Sequence, residues 1–188
     1  LFWFRKAVKM GKVFIFVGRS ASGKTSLQNW ISKKMNGPIH VSYTTRAIRE
    51  KEVNGVDYYF VSLEQFNAME MLEKAEFAGN FYGTPKGDFE TILNNNKVSF
   101  LITEQSGARL FKKLYGEQVV TILLDMEPAV SKELLLRRDG VEKGTSRFLH
   151  DESLDWSGEG FDCIIKENGK NWKEVRQKAL DIVQSSIG

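Results

Sequence analysis

A short apolar strand that runs directly into a glycine-rich loop and a helix limits the possible folds of this chain more than any other stretch. Residues 12–17 read KVFIFV, which is typical of a strand buried on both faces of a parallel sheet. Residues 18–25, GRSASGKT, follow at once and fit the pattern GxxxxGK[ST]. Residues 26–35 then place Leu27, Trp30 and Ile31 at helical spacing. The sequence therefore predicts a strand, a phosphate-binding loop and a helix in succession.

The loop contains the residue types that polyphosphate binding requires. Glycines let the backbone bend tightly, so that successive N–H groups and the helix N-terminus face a polyphosphate. In this interpretation Lys24 reaches the outer phosphates, and the Thr25 hydroxyl ligates Mg²⁺. A glycine-rich turn that merely starts a helix is the alternative, and the flanking strand and helix argue against it. The predicted nucleotide-binding residues are Gly18, Arg19, Ser20, Ala21, Ser22, Gly23, Lys24 and Thr25.

Length and composition favour one folded unit of ordinary globular type. The chain has 188 residues, of which 41% are hydrophobic, enough to fill a core. Its formal charge of +3 is small for a bulk polyanion binder, so we predict no nucleic-acid partner. Its one cysteine, Cys163, cannot form an internal disulfide, and no apolar stretch approaches the roughly 20 residues that a membrane-spanning helix needs. We therefore predict a cytoplasmic protein without a membrane partner, and nothing in the sequence specifies its oligomeric state.

The first nine residues differ in character from those that follow. They read LFWFRKAVK, which combines aromatic and basic side chains. The apolar part is too short for a signal peptide, and no cleavage site with small residues follows it. We interpret residues 1–9 as an upstream or vector-derived leader, with a membrane-surface anchor as the alternative, and start the domain at Met10.

A second group of residues suits a bound phosphate monoester. Residues 42–49 read SYTTRAIR, residues 54–61 read NGVDYYFV, and residues 79–85 read GNFYGTP. These segments combine arginines, tyrosines and hydroxyls on what the pattern predicts to be short strands joined by glycine turns. Arginine offers a planar fork to phosphate oxygens, and each charge-assisted hydrogen bond contributes roughly 1.5 to 3 kcal/mol.

In this order the motifs resemble those of the guanylate kinase family, which has a P-loop, an S-x-TTR-x-x-R segment, a DYxF segment and a GNYYGT segment. The resemblance runs from about Met10 to beyond Gly107 and weakens toward the C-terminus. It implies that ATP, with Mg²⁺, binds the glycine-rich loop and that GMP is the acceptor. It also implies an α/β fold with a P-loop NTPase core, in which helices flank a parallel sheet, together with a nucleoside monophosphate (NMP) insertion and a lid.

The resemblance also assigns residues to GMP. Those implied to hold its phosphate are Arg46, Arg49, Tyr58 and Tyr82, and those implied to bind its guanine are Ser42, Glu73 and Thr84. Guanine presents N1–H and an amino group as adjacent donors, which one carboxylate can accept together and which adenine lacks. Because Glu70, Glu73 and Glu76 recur at three-residue spacing, a solvated helix face is the alternative for Glu73.

This chain departs from the family at an acidic motif. Residues 98–102, VSFLI, are predicted to form the next buried strand, and Gly107 then aligns with the glycine of the family's D-x-D-x-x-G pattern. On that alignment Ile102 takes the place of the first acid and Glu104 that of the second. Ile102 cannot ligate a metal even through water. We therefore expect altered metal affinity or turnover, and we add Glu104 to the residues predicted to bind GMP.

Residues 137–149 correspond to the family's lid, whose arginines close over the ATP phosphates and spread the charge of the transition state. We predict Lys24, Arg137 and Arg147 as catalytic residues, with Arg138 as an alternative because the alignment is loose in a segment that looks shorter and less regular than usual. A helix surface with ordinary solvated arginines is the other alternative.

The C-terminal part completes the predicted domain. Residues 161–165, FDCII, resemble the last core strand, and residues 171–187 form an amphipathic helix that buries Val175, Ala179, Ile182 and Val183. The predicted core comprises residues 10–41, 89–136 and 150–188, with the NMP insertion at 42–88 and the lid at 137–149.

The predicted reaction is ATP-dependent phosphorylation of GMP, and also of dGMP, to the diphosphate. One alternative is a divergent P-loop kinase that acts on another nucleotide or a phosphorylated sugar. A second is a noncatalytic guanylate-kinase-like interaction domain, a type that generally loses the loop lysine or glycines. This chain retains Gly18, Gly23, Lys24 and Thr25, which favours the enzyme.

Overall fold

The computed structural model describes residues 11–77 and 79–188, so the predicted leader lies outside the described residues. The strands found there are β1 (Lys12–Gly18), β2 (Tyr43–Thr44), β3 (Tyr59–Phe60), β4 (Met71–Phe77), β5 (Asn80–Pro85), β6 (Val98–Ile102), β7 (Val119–Met126) and β8 (Cys163–Glu167). The helices are α1 (Lys24–Met35), α2 (Leu63–Ala68), α3 (Lys86–Asn95), α4 (Gln105–Tyr115), α5 (Pro128–Asp139), α6 (Val141–Glu152) and α7 (Trp172–Ile187). A 3₁₀ turn covers Gly116–Gln118.

The larger sheet is parallel and has the strand order β6-β1-β7-β8. One of its two inner strands, β1, is buried on both faces, as its apolar run predicts. Phe14 and Phe16 pack with α1 and α7 on one face, while Val13, Ile15 and Val17 pack with α3 and α4 on the other. Side chains alternate across a strand, so one run of five apolar residues packs against two helical layers. The predicted α/β core, a parallel sheet flanked by helices, is confirmed.

The smaller sheet has the order β3-β2-β5-β4 and is built from residues 43–85. An antiparallel pair, β4 and β5, supplies its longest strands, and β2 pairs with both β5 and β3. The predicted short strands are therefore present. Helix α2 was not predicted from the sequence. At its start the Ser62 side chain accepts from the Gln65 N–H, and the Gln65 side chain accepts from the Ser62 N–H. This reciprocal capping box offsets the short length of the helix.

The last core strand begins two residues later than predicted. The ladder between β7 and β8 starts with Ile122 opposite Cys163. Just before it, the Asp162 carboxylate accepts from both the backbone N–H and the hydroxyl of Thr121. The side chain of Asp162 therefore replaces a backbone pairing at this point, and residues 161 and 162 stay outside the strand.

The predictions for the first helix, α1, and the last helix, α7, were nearly correct. α1 begins at Lys24 rather than Ser26. On α7, Val175, Ala179 and Val183 are buried as predicted, but Ile182 is only partly buried and Leu180 completes the buried face. No helix in the described part of the chain is both long and apolar enough to cross a membrane.

Residues 137–149 form regular structure rather than an irregular segment. They comprise the end of α5, Gly140 and most of α6, so a single residue joins two twelve-residue helices. Gly140 has φ 79° and ψ 174°, a conformation that side chains with a Cβ rarely adopt. A glycine is therefore required where one helix turns directly into the next.

Replacing Phe100 by alanine should destabilise the fold by about 3 to 5 kcal/mol, because the change leaves a cavity in a close-packed core. The Phe100 ring is 0% exposed and lies 6.0 Å from the Phe14 ring centroid. Urea unfolding followed by circular dichroism would measure the loss. Leu114→Ala is the matched control, since Leu114 is 53% exposed, and its effect should stay within about 0.5 kcal/mol. Equal losses in the two variants would contradict this account of the core.

Candidate active site

The glycine-rich loop wraps around the side chain of Lys24. The Lys24 Nζ donates to the carbonyl oxygens of Gly18 at 2.7 Å and Arg19 at 2.8 Å. Gly23 caps α1 with φ 80°, and a Cβ at this position would come within 2.9 Å of the Trp172 ring. Only glycine therefore lets the loop close beneath α7. Ala21 also has a positive φ, 65°, so the loop stores some backbone strain.

Lys24 is a partly buried cation in this loop. Burial lowers the pKa of its ammonium from 10.5 to about 8, although the negative charge of Asp151 opposes that shift. A second anion close to Nζ would favour the protonated form. The loop therefore has both the N–H groups and the charge that a phosphate needs.

Two cavities meet at the loop. The first, here the loop cavity, has a volume of about 500 Å³ and lies between the start of α1 and the α5–α6 pair. The second, here the cleft cavity, has a volume of about 350 Å³ and lies between the two sheets. Ser20, Lys24 and Arg147 line both cavities. A group bound in one cavity would thus adjoin a group bound in the other across a shared wall.

The predicted loop residues divide between these cavities. The loop cavity is lined by Ser20, Ala21, Gly23, Lys24 and Thr25, and Gly18 lines the cleft cavity. Arg19 and Ser22 line neither of the two. The Arg19 guanidinium instead forms an ion pair with Glu152 and lies over the Trp156 ring, 5.0 Å from its centroid.

The arginines of residues 137–149 gather at the loop cavity. Arg137, Arg138 and Arg147 all line it. Arg138 donates to both carboxylate oxygens of Asp139 at 2.9 Å, and Arg147 lies 3.2 Å from the same carboxylate. The hydrogen bond from Arg138 is the main reason why the pKa of Asp139 is lowered. Arg137 is more exposed and pairs with Glu133. The geometry thus favours Arg147, which borders both cavities, and supports Arg138 as much as Arg137.

One end of the cleft cavity is cationic. The Arg46 guanidinium makes two hydrogen bonds to Glu52, at 2.7 and 2.9 Å, and lies 5.7 Å from the Tyr58 ring centroid. These hydrogen bonds raise the pKa of Arg46 and lower that of Glu52. Arg49 lies 3.9 Å from Glu52, and the Tyr58 and Tyr82 rings meet edge to face at 5.8 Å. The four residues predicted to hold a phosphate therefore lie together, and Glu52, which was not predicted from the sequence, pairs with both arginines.

The other end of the cleft cavity is acidic. Glu73 lies on β4, so its assignment to a solvated helix face is wrong. Its carboxylate accepts from the Thr84 hydroxyl at 3.1 Å, and the Thr84 oxygen lies 3.4 Å from that of Ser42. Thr84 is 2% exposed and contacts Glu73 from outside the lining. Burial raises the pKa of Glu73 to about 7, partly opposed by the Thr84 hydrogen bond and reinforced by the charge of Glu104.

The altered acidic motif lies in the same cavity. Ile102 and Glu104 both line it. Ile102 also packs against the apolar cluster beneath α1 and α7, so it contributes packing rather than a carboxylate. Glu104 lies 3.8 Å from the Nε2 atom of His150, a residue of α6 that no sequence motif singled out. No cluster of three or more metal-ligating side chains occurs among residues 11–77 and 79–188.

The end of α6 makes a contact with the loop that the sequence did not reveal. Asp151 Oδ2 accepts from the backbone N–H of Ser20 at 2.6 Å, and Oδ1 accepts from the Ser20 hydroxyl at 3.3 Å. The partners are 131 residues apart, and Asp151 belongs to no spaced motif. No local pattern could have identified this carboxylate, which faces the predicted phosphate site.

Comparison with known proteins identifies the family. The guanylate kinase family model matches residues 10–180. The guanylate kinase of Thermotoga maritima is 31% identical over 183 residues, which cover 93% of this chain and 87% of that protein. The guanylate kinase of Thermosynechococcus vestitus is 41% identical over 112 residues, so the match spans 57% of this chain and only 59% of that protein. The crystal structure of guanylate kinase from Anaplasma phagocytophilum has a TM-score of 0.64 at 27% identity and covers 94% of this chain and 86% of that one. The chain belongs to the guanylate kinase family.

Proposed function

We propose that this protein transfers the γ-phosphoryl group of ATP to GMP, and also to dGMP, giving ADP and the nucleoside diphosphate. The observation that carries the proposal is the shared wall formed by Ser20, Lys24 and Arg147 between the two cavities. ATP would occupy the loop cavity and the acceptor the cleft cavity. The family membership and the names of the relatives support the same reaction.

In this proposal an oxygen of the acceptor's phosphate attacks the γ-phosphorus, the bond from that phosphorus to the β–γ bridging oxygen breaks, and ADP leaves with the electron pair. No general base is needed, because the acceptor phosphate is already anionic. Catalysis then depends on positioning and on charge stabilisation at the shared wall. Lys24 and Arg147 would supply that charge, with Arg137 or Arg138 on the outer phosphates.

The acceptor would be recognised at both ends of the cleft cavity. Arg46, Arg49 and the two tyrosines would bind its phosphate. Glu73 would accept from guanine N1–H and the amino group, with Ser42 and Thr84 close to the same end, and Glu104 would assist. We further propose that residues 42–88 act as the NMP insertion and residues 137–149 as the lid, and that both close over bound substrates.

The residues at the loop fit a magnesium ion that arrives with ATP. Thr25 is the second residue of α1, it is exposed, and it lines the loop cavity, so its hydroxyl can supply an oxygen ligand. Mg²⁺ in nucleotide sites is held mainly by phosphates and water, with only one or two protein groups. A site in which Ile102 supplies no ligand is compatible with this coordination. When bound, the ion neutralises phosphate charge. Because the reaction consumes ATP, a cytoplasmic location is part of the proposal.

The test is ADP release in the presence of ATP and Mg²⁺ with GMP, dGMP, AMP, CMP or UMP as acceptor. We expect GMP and dGMP to give the highest kcat/KM. Turnover with a different nucleotide or a phosphorylated sugar would instead indicate a divergent kinase. Binding of GMP without turnover on any acceptor would indicate a noncatalytic interaction domain.

A further inference from the structure

The last turn of α6 holds the glycine-rich loop from the side on which phosphates would bind. Asp151 is 5% exposed, and its carboxylate accepts from both the N–H and the hydroxyl of Ser20. Ser20 lines the loop cavity and the cleft cavity. A carboxylate therefore lies at the junction where the proposed transfer takes place.

Four further contacts stabilise the glycine-rich loop and the end of α6 in this arrangement. Arg19 pairs with Glu152 and lies over the Trp156 ring, and Trp156 Nε1–H donates to the Asp151 carbonyl at 2.6 Å. From α5, the Ser131 hydroxyl donates to the Ser20 carbonyl at 2.9 Å. We call the group Arg19, Ser20, Asp151, Glu152 and Trp156 the loop latch. It joins two consecutive loop residues to the end of α6 and the turn after it.

In the latch, the Asp151 carboxylate binds a loop N–H group that a phosphate oxygen could otherwise bind. A phosphate oxygen and the Asp151 carboxylate compete for the same N–H of Ser20, and both are negative. The charge of Asp151 already acts on Lys24, where it favours the protonated ammonium. Two anions within a few ångströms repel strongly at the low dielectric of a partly buried site. A phosphate oxygen bound at the Ser20 N–H would therefore displace the latched carboxylate.

Movement of the Asp151 carboxylate with the end of α6 would also change the position of Arg147. Arg147 precedes Asp151 by four residues on α6, so the two side chains lie on one face of the helix. Arg147 lines both cavities and is held by Asp139 in the free protein. Displacing the end of α6 therefore also shifts a cation at the shared wall.

We propose that Asp151 is an internal anion that occupies the phosphate site of the loop in the free protein, and that ATP binding displaces it together with the end of α6. This inference rests on the donor half of the proposed function, namely that the loop binds a polyphosphate. It makes Asp151 an autoinhibitory residue whose release couples donor binding to the position of Arg147.

The test measures binding of ATP with Mg²⁺, and of inorganic tripolyphosphate, by calorimetry without any acceptor. In Asp151→Asn the amide oxygen still accepts from the Ser20 N–H, but the charge is removed. We expect the Kd for both ligands to fall about tenfold, as expected when a like charge is taken from the site. Asp155→Asn is the matched control, because Asp155 is exposed and hydrogen-bonds only locally with Ser157 in the described structure. Its Kd should not change.

A second measurement keeps Asp151 in place, in case Asp151→Asn does not fold. Tripolyphosphate should change the fluorescence of Trp156, obtained as the difference between the wild-type protein and Trp156→Phe, because release breaks the contacts of its indole. An unchanged or higher Kd in folded Asp151→Asn, or no change in the Trp156 signal at saturating tripolyphosphate, would overturn the proposal. Wild-type protein that binds ATP but does not phosphorylate GMP would contradict the proposed function alone. Wild-type protein that binds neither ligand would overturn both.

Discussion

Replacing Lys24 by alanine should lower kcat for phosphoryl transfer by at least about 10²- to 10³-fold, the usual effect of removing one group that stabilises developing charge. Lys24 is a partly buried cation in the wall that the two cavities share. Negative charge on the transferred group develops at this wall in the proposed reaction. The measurement is ADP release at saturating ATP, Mg²⁺ and GMP.

Lys33→Ala is the matched control for this variant. Lys33 lies on the same helix, α1, but is exposed. The control should keep the wild-type kcat, and both variants should retain the far-ultraviolet circular dichroism of the wild type. Full activity in Lys24→Ala would remove Lys24 from the catalytic residues.

The free energy of unfolding of the free protein should depend on pH because of Lys24. Burial lowers the pKa of its ammonium to about 8 from 10.5, so between these values the unfolded chain binds more protons than the folded one. The free energy of unfolding from this group therefore rises as the pH increases through that window. The rise should be absent in Lys24→Ala. Urea unfolding at a series of pH values would detect the difference.

Replacing Glu73 by glutamine should raise KM for GMP about a hundredfold at pH 8, with a smaller change in kcat. The carboxylate can accept from guanine N1–H and the amino group together, whereas the amide has one acceptor and turns its own donors toward guanine. Discrimination against AMP should weaken in parallel. Steady-state kinetics with both acceptors would measure these changes.

The pH dependence of the wild-type protein follows from the same carboxyl group. Burial raises the pKa of Glu73 to about 7, so the group loses its charge as the pH falls below that value. In the proposed binding mode guanine requires the ionised form, so below about pH 7 its binding would release a proton. KM for GMP should be flat above about pH 7 and should rise up to tenfold for each pH unit below it. In Glu73→Gln this slope should disappear.

Glu76→Gln is the control for both measurements. Glu76 lies on the same strand, β4, but three residues on and exposed, so its side chain points to the opposite face. It should leave KM for GMP and its pH dependence unchanged. The same slope in Glu73→Gln as in the wild type would show that another group titrates.

The core could be predicted because its strands are apolar on both faces. The runs at 12–17 and 98–102 became β1 and β6, and Leu27 and Ile31 of the first helix are buried against them. Where a polar side chain replaced a backbone hydrogen bond, prediction failed. Asp162 accepts from Thr121 and so delays the start of β8 to Cys163, and no periodicity in the sequence encodes such a pairing.

The candidate site could be predicted where motifs are local. The glycine-rich loop and the arginines of residues 42–49 lie within short segments, and the structure brings them to one cleft. Their partners were missed because folding alone brings them there. Asp151 meets Ser20 across 131 residues, and Asp139 holds Arg147 from the neighbouring helix. Glu52 could have been predicted as a partner of Arg49, because it follows Arg49 by three residues and has the opposite charge.

The bidentate pair of Arg46 and Glu52 has a consequence for the rate of product release. In the free protein Arg46 already has an anionic partner, so an arriving phosphate exchanges one partner for another. In the proposed reaction, Glu52 would take the place of the departing diphosphate, so the Arg46 guanidinium would not be left unpaired. If Arg46 binds the acceptor as proposed, the pair would lower affinity for it and would favour rapid product release, a step that limits the rate of many efficient enzymes.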